Sequence, residues 1–208
     1  MDNKQSKDFL EQRAWLSSIC DTQSTEELEK KYASWANSYD TDVQKDWSFM
    51  PVAIAKTLSK LLLDKHCSIL DAGAGTGLVG EALAKEGYTN LTAVDLSEQM
   101  LAIAKEKQVY QYLFQGNLED SSIFNNSENF DVIITAGVFA YGHAGVEVLN
   151  NLFPFLKEEG IFLLTIREDY RKQIQTPLDQ LSWQLISEEA FPIYDEAKLM
   201  YLLTFKKG

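Results

Sequence analysis

Histidine, cysteine and proline are scarce in this sequence of 208 residues: two, two and four copies respectively. With His66 and His143 as its only imidazoles, the chain cannot build a histidine-rich metal centre. Cys20 and Cys67 are far apart, without CxxC spacing and without the partners a zinc site needs; they read as reduced thiols of a cytoplasmic protein. Cationic residues are the next deficit. Lys+Arg total 19 against 31 Asp+Glu, a formal net charge of −12 and a sequence pI near 4.6. Binding to nucleic acid needs a cationic face, and no basic cluster here is longer than the pair Lys206-Lys207. Anionic membrane surfaces are disfavoured for the same reason. No apolar stretch approaches the ~20 residues of a membrane span, and the start MDNKQSKDFL has no signal-peptide run. The deficits describe a metal-free cytoplasmic protein with neither nucleic acid nor membrane as partner.

What is present is an ordinary globular balance, 45% hydrophobic and 24% charged, at a length suited to one domain spanning 1–208. Residues 1–63 read as a helical cover together with the first core helix. Phe9, Leu10, Trp15, Leu16 and Ile19 share a helix face, Ser24/Thr25 with Glu27 caps a second helix, and Pro51–Leu63 forms a third with Ile54, Leu58, Leu61 and Leu62 as its stripe. Residues 64–208 alternate short apolar runs with helical patterns. Strands are expected at Ser68–Leu70, Leu91–Val94, Tyr110–Phe114, Phe130–Thr135 and Ile161–Ile166; helices at Leu78–Glu86, from the Ser97 cap to Lys107, and at Gly145–Leu156. Such alternation demands parallel pairing with helices on both faces. Ser182–Ile186 and Leu199–Phe205, with Phe191-Pro192 between them, complete the sheet as an antiparallel pair at its edge. The expected fold is α/β: a Rossmann-like, doubly wound, seven-stranded, mostly parallel sheet whose last strand is antiparallel, behind an N-terminal helical cover.

The informative segment is Ile69-Leu70-Asp71-Ala72-Gly73-Ala74-Gly75-Thr76-Gly77-Leu78. Three glycines at alternate positions, after a strand and before a helix, let backbone approach a ligand closely. Gly75-Thr-Gly77-Leu-Val-Gly80 also matches the dinucleotide pattern GxGxxG. That register leaves Ala72-Gly73-Ala74 as additional loop, whereas the fingerprint follows its strand directly. Asp71 at the loop entrance would repel a pyrophosphate and attract an ammonium group. Asp95, ending the second strand, can accept from both hydroxyls of a ribose. A ligand with an α-amino group and a ribose fits these residues better than a diphosphate does.

With Leu70-Asp71-Ala72-Gly73-Ala74-Gly75-Thr76-Gly77, Val94-Asp95-Leu96-Ser97, Met100-Leu101, Gly116-Asn117-Leu118 and Phe130-Asp131-Val132-Ile133 in this order, the sequence resembles the class I S-adenosylmethionine-dependent methyltransferases. The resemblance implies S-adenosyl-L-methionine as cofactor, S-adenosyl-L-homocysteine as product, and no metal. Asp71, Ala72, Gly73, Ala74, Gly75, Thr76 and Gly77 would hold the methionyl part and Asp95 the ribose. Leu96 and Met100 would flank the adenine, Asn117 and Leu118 would meet its edge, and Ala136 and Gly137 would also contact the cofactor. Many relatives carry Asp where Asn117 stands; its amide oxygen can still accept from an amino group. Tyr32-Ala-Ser-Trp35-Ala36-Asn-Ser-Tyr39-Asp40 resembles the YxxWAxxYD segment of small-molecule methyltransferases, where a helix folds over the cofactor and tyrosines such as Tyr32 and Tyr39 line the methionyl end. With the turn Val138-Phe-Ala-Tyr-Gly after strand four, the nearest likeness is the small methyltransferase-like subgroup of the Williams–Beuren region.

A sulfonium methyl is already activated, so transfer needs chiefly an in-line nucleophile about 3 Å away. The loop after strand four lacks the DPPY or NPPY tetrapeptide of amino-methylating DNA and glutamine enzymes, which with the acidic balance argues against nucleic-acid substrates; the resemblance implies a small-molecule acceptor. His143 is the candidate base, with Tyr141 beside it. Tyr141, Trp47, Phe49 and Tyr194 are candidates for an aromatic acceptor pocket, Trp35 for a further substrate contact, and Arg167 for clamping an acceptor carboxylate or phosphate. No long apolar edge demands a partner, so a monomer or weak homodimer is expected. Two other readings follow from the same residues: an NAD(P)-dependent oxidoreductase, though no Tyr-x-x-x-Lys couple follows strand four, and a regulatory module that holds the cofactor without turnover.

Overall fold

The structure is a computed structural model that describes residues 24–124, 129–139, 145, 147–193 and 198–208. The helix expected around Phe9–Ile19 lies outside them. Seven strands form one sheet: β1 Ile69–Ala72, β2 Leu91–Asp95, β3 Tyr112–Gln115, β4 Phe130–Phe139, β5 Leu156–Arg167, β6 Trp183–Ile193 and β7 Lys198–Lys207. Their order is β3-β2-β1-β4-β5-β7-β6. The first five pair in parallel, and β7 runs antiparallel between β5 and β6. Among the described residues six α-helices accompany the sheet: α1 Thr25–Trp47, α2 Phe49–Leu61, α3 Leu78–Lys85, α4 Glu98–Glu106, α5 Glu147–Leu152 and α6 Glu168–Gln180. This is the doubly wound, Rossmann-like architecture expected from the alternation of elements.

Period-two patterning sorts the strand residues onto two cores. Ile69, Leu91, Val132, Ile134, Ile161 and Leu163 pack with Met50, Ile54 and Leu58 of α2 and Val79 and Leu83 of α3. Leu70, Val94, Ile133, Phe162 and Leu164 face the other way, onto Val148 and Leu149 of α5 and Tyr170, Ile174 and Leu178 of α6. A strand covered on both faces reads as a continuous apolar run, and Ile161–Ile166 is buried throughout.

Helix starts follow the expected caps. Ser24 Oγ accepts from the Glu27 N–H at 3.2 Å and Ser97 Oγ from the Met100 N–H at 3.3 Å. Elsewhere the elements depart from expectation. Helix α2 begins two residues before Pro51, and Leu61, placed in its apolar stripe, is 43% exposed while Met50 and Ala55 are buried instead. Strand β3 starts at Tyr112, leaving Tyr110 outside the ladder. Helix α5 stops at Leu152, before a short 3₁₀ turn containing Pro154, and β5 begins already at Leu156. Phe191 and Pro192, expected between two strands, lie within β6 opposite Met200 and Leu199. Proline is tolerated there because β6 is the edge of the sheet. Helix α6 was not expected, because Pro177 sits inside it.

Candidate functional site

In open α/β sheets a ligand crevice opens at the carboxyl ends of the strands, where the strand order reverses. Here the reversal falls between β1 and β4, and a cavity of about 330 Å³ lies there. Its floor is made by Gly73 and Gly75 after β1, Asp95, Leu96 and Ser97 after β2, Gly116, Asn117, Leu118 and Glu119 after β3, and Ala136, Gly137 and Val138 of β4. Its roof is α1, through Ser24, Thr25, Leu28, Glu29, Tyr32 and Tyr39. The volume falls in the range of small-molecule sites.

The loop after β1 is folded tightly. Gly73 N–H and Ala74 N–H both donate to the Val94 carbonyl, at 2.8 and 3.0 Å, and Gly77 N–H donates to the Ala74 carbonyl at 2.9 Å. Gly75 N–H donates to Asp95 Oδ2 at 2.8 Å. Four amides of this loop are therefore already spoken for, and a diphosphate would find few donors to cradle it. Gly75 (φ +54°) and Gly137 (φ +73°) have no atom within 4 Å of where a Cβ would stand, so both present bare backbone to open space in the cavity. Gly73 (φ +79°) is confined differently: a Cβ there would lie 2.4 Å from Val138 Cγ2. The bulge that brings Ala136–Val138 to the wall interrupts the β4–β5 register between Thr135 and Phe139, and the Gly137 N–H is held by Thr165 Oγ1 at 2.9 Å.

Asp95 is the acidic centre of the cavity. Its Oδ1 accepts from the Ser97 N–H at 2.9 Å and its Oδ2 from Gly75. Burial pushes its carboxyl above the usual range, against the pull of the Ser97 and Gly75 N–H donors. A carboxylate has about four acceptor positions, so one on each oxygen remains for a pair of vicinal hydroxyls. Asn117 accepts from the Glu119 N–H at 3.0 Å through its Oδ1. Its amide nitrogen carries the donors that an aspartate here would lack.

Asp71 does not line the cavity. It is 1% exposed, its Oδ2 accepts from the Tyr110 hydroxyl at 2.6 Å, and its Oδ1 has no partner among the described residues. Burial pushes its carboxyl up to about 7, with Asp95 adding to the rise and Tyr110 opposing it. An orphaned buried acceptor beneath the loop fits a ligand that brings a cationic donor. Ala72, Ala74, Gly77 and Met100 are buried and do not line the cavity. Thr76 turns away, donating from its hydroxyl to Asp40 Oδ1.

That last contact exposes a residue to which the sequence reading gave no role. Asp40, on α1, also receives Lys107 Nζ at 2.7 Å, and Lys107 reaches Glu81 Oε2 of α3 at 3.3 Å. Together with Gln115 Nε2 donating to Glu29 Oε1 at 3.2 Å, these contacts tie the roof to the floor. Within the roof, Trp35 and Tyr39 pack edge to face with centroids 4.5 Å apart, while Tyr32 and Tyr39 face the cavity.

Of the aromatic acceptor candidates, only Trp35, Trp47 and Phe49 lie among the described residues, and these three pack elsewhere than on the cavity. Trp35 is buried in the roof and donates from Nε1 to Asp42 at 2.8 Å. Trp47 and Phe49 pack against the apolar core, Phe49 on Phe191 with centroids 5.5 Å apart. Tyr141, His143 and Tyr194 lie outside the described residues. Arg167 does not face the cavity; Asp169 holds its guanidinium through two contacts, at 2.5 and 3.1 Å. Among the described residues no group of three or more His, Cys, Asp or Glu is placed to hold a metal ion. Cys67 is a buried free thiol, pushed up to about 11 by burial. No helix among the described residues is long and apolar enough to cross a membrane.

Comparison with known proteins agrees with this geometry. A malonyl-[acyl-carrier protein] O-methyltransferase of Bacillus cereus is 35% identical over 142 residues, 66% of this chain and 51% of the relative. Human methyltransferase-like protein 27 is 29% identical over 157 residues, 72% of this chain and 64% of the relative. The chain spans about half the length of several curated relatives it matches. The fold is shared with magnesium protoporphyrin IX methyltransferase from Synechocystis, solved with bound S-adenosylmethionine, at TM-score 0.65 and 14% identity over 82% of this chain and 83% of that one. Residues 63–206 match the family model described as "Methyltransferase domain", and this chain is a member of that methyltransferase family.

Proposed function

We propose that this protein is an S-adenosylmethionine-dependent methyltransferase acting on a small-molecule acceptor. The observation that carries the reading is the Asp95 carboxylate, set in the floor of a 330 Å³ cavity and tied to the bare-backbone Gly75, with Tyr32 and Tyr39 overhead. Asp95 would hold the ribose hydroxyls, Leu96 would lie against the adenine with Met100 behind it, and Asn117 and Leu118 would meet the adenine edge. Gly73, Gly75, Ala136 and Gly137 would leave room for the methionyl chain, whose ammonium group the buried charge of Asp71 favours. The cofactor supplies an activated methyl group on a sulfonium centre.

The chain's own part is then binding, orientation and exclusion of water. Tyr32 and Tyr39 cap the methionyl end, and the Thr76–Asp40–Lys107 contacts hold α1 in place over it. Ala136–Val138, at the end of β4, forms the wall nearest the acceptor. His143 and Tyr141, six and four residues beyond Gly137, remain the candidate base and its neighbour. Segment Tyr32–Asp40 supports the small methyltransferase-like subgroup, and the match to a human methyltransferase-like protein is in keeping with it. The relative that acts on a malonylated acyl-carrier protein makes a carboxylate a second acceptor class to test. The acidic charge and the missing NPPY-type tetrapeptide favour neither nucleic acid nor a membrane surface, and the molecule is proposed to work as a cytoplasmic monomer or weak homodimer.

The test is transfer of a radiolabelled methyl group from S-adenosylmethionine to fractionated metabolites and acyl-carrier substrates. Label in a small-molecule fraction, with stoichiometric S-adenosylhomocysteine, is the expected result. Tight cofactor binding with label in no fraction would instead favour the non-catalytic module.

A further inference from the structure

Gly80 is the last glycine of the literal GxGxxG register, and the structure gives it a purpose unrelated to a diphosphate. A Cβ at Gly80 would lie 2.2 Å from Cζ of Tyr110, and one at Gly77 would lie 2.9 Å from its Cε2. Two glycines thus form a slot for one phenol ring. Tyr110 enters that slot from the segment between α4 and β3. At its tip the hydroxyl accepts from the Gly80 N–H at 3.1 Å and donates to Asp71 Oδ2 at 2.6 Å.

The groups facing Asp71 come from each neighbouring element. Tyr110 presents its phenol, the end of β2 presents the like charge of Asp95, and α3 presents the Gly80 N–H. The strand neighbours Ala93 on β2 and Ile134 on β4 are apolar. Among the described residues Asp71 therefore has a single side-chain donor, and that donor is itself locked by backbone. Burial holds the Asp71 carboxyl near 7 even with this donor in place.

We propose that Tyr110 is a positioning residue for the cofactor: its hydroxyl fixes the Asp71 carboxylate beneath the glycine loop in the orientation and charge state that make it the buried counter-charge to the ligand's ammonium group. This rests on the reading of the cavity as an S-adenosyl site. When the ligand binds below neutral pH, Asp71 releases its proton to solvent and the ammonium takes its place as counter-charge. A donor to the carboxylate lowers the pH at which this exchange becomes easy, and its removal raises that pH.

The test is calorimetric titration of the full chain with S-adenosylhomocysteine from pH 5.5 to 8.5, for wild type, Tyr110→Phe and Asp71→Asn. Wild-type affinity should climb up to tenfold per pH unit and level off near pH 7, with protons released on the rising limb. Tyr110→Phe should show the same curve moved up by about one pH unit, roughly tenfold weaker at pH 6.5 and within about twofold of wild type at pH 8.5. Asp71→Asn should bind weakly at every pH with no proton release. If Tyr110→Phe does not fold, 3-fluorotyrosine at position 110, a stronger donor of the same shape, should move the curve to lower pH. A uniform loss across the pH range, or an unmoved curve in either variant, would overturn the role of Tyr110 while leaving the cavity assignment standing. No heat from folded wild type at any pH would remove the cavity assignment itself.

Discussion

Replacing Asp95 with Asn separates the ligand's needs from the loop's. The carboxylate receives one N–H on each oxygen, from Ser97 at 2.9 Å and Gly75 at 2.8 Å, and keeps one acceptor position on each for a hydroxyl. An amide in the same place turns one oxygen into a donor. That NH₂ must face either the Ser97 or the Gly75 N–H, so one backbone donor loses its partner, and one of the two ribose hydroxyls loses its acceptor. A hydrogen bond to a charged group contributes about 1.5–3 kcal/mol, so the loss of one such bond and of the negative charge should cost about 2–3 kcal/mol in binding. At 1.36 kcal/mol per tenfold, this is roughly a 30- to 150-fold rise in Kd for S-adenosylhomocysteine. Calorimetry at pH 7.5, with circular dichroism to confirm the fold, is the assay. An affinity within about twofold of wild type would place the ribose elsewhere and refute the argument.

The buried carboxyl of Asp71 predicts a stability effect of opposite sign to its binding effect. With a native pKa near 7 against an ordinary 3.8, the native state holds a proton that the unfolded chain has released, so stability falls as pH rises through that window. Asp71→Asn should accordingly stabilise the free protein at pH 8 by about 2–4 kcal/mol in urea unfolding; a less stable variant would contradict the assigned burial cost. The two loop glycines should respond differently to alanine. Gly73→Ala meets Val138 at 2.4 Å and should cost about 2–4 kcal/mol of stability, whereas Gly75→Ala meets nothing and should cost only about 1–2 while weakening ligand binding. Equal losses of thermal midpoint in the two variants would count against the cavity lying over Gly75. Asp40→Ala, which removes the contacts to Thr76 and Lys107, should lower the midpoint by about 3–6 °C and weaken S-adenosylhomocysteine binding; unchanged binding would mean that α1 is not the roof of the site.

Much of the fold could be read from local chemistry. The caps at Ser24 and Ser97, the glycine loop and the apolar runs of β1, β2, β4 and β5 each announce one element, and parallel pairing follows from their alternation. Helix α6 was hidden by Pro177, although Tyr170, Ile174 and Leu178 at four-residue spacing form its buried stripe and Glu168 and Asp169 mark its first turn. Strand β6 was cut short because Phe191-Pro192 reads as a turn unless its edge position is known. In the site, Asp95 and Gly75 follow from position after a strand. Asp71 and Thr76 were placed at the ligand by their position in the glycine loop; parity along β1 sets Asp71 beneath the loop on the α3 side, where it can act as a buried counter-charge, and Thr76 donates to Asp40. The roles of Asp40, Lys107 and Tyr110 depend on contacts 36, 67 and 39 residues apart, which no local pattern encodes. Trp47 and Phe49 illustrate the converse: aromatic residues near a site in sequence are as well used in a core.

The central claim is that the turn after β1 takes a cationic amino-acid tail and a ribose, not a chain of anionic esters. Parallel calorimetric titrations of the same wild-type preparation with S-adenosylhomocysteine and with NAD test it most directly. Saturable heat from the first and none from the second is the predicted result; saturable heat from NAD, with none from S-adenosylhomocysteine, would contradict it.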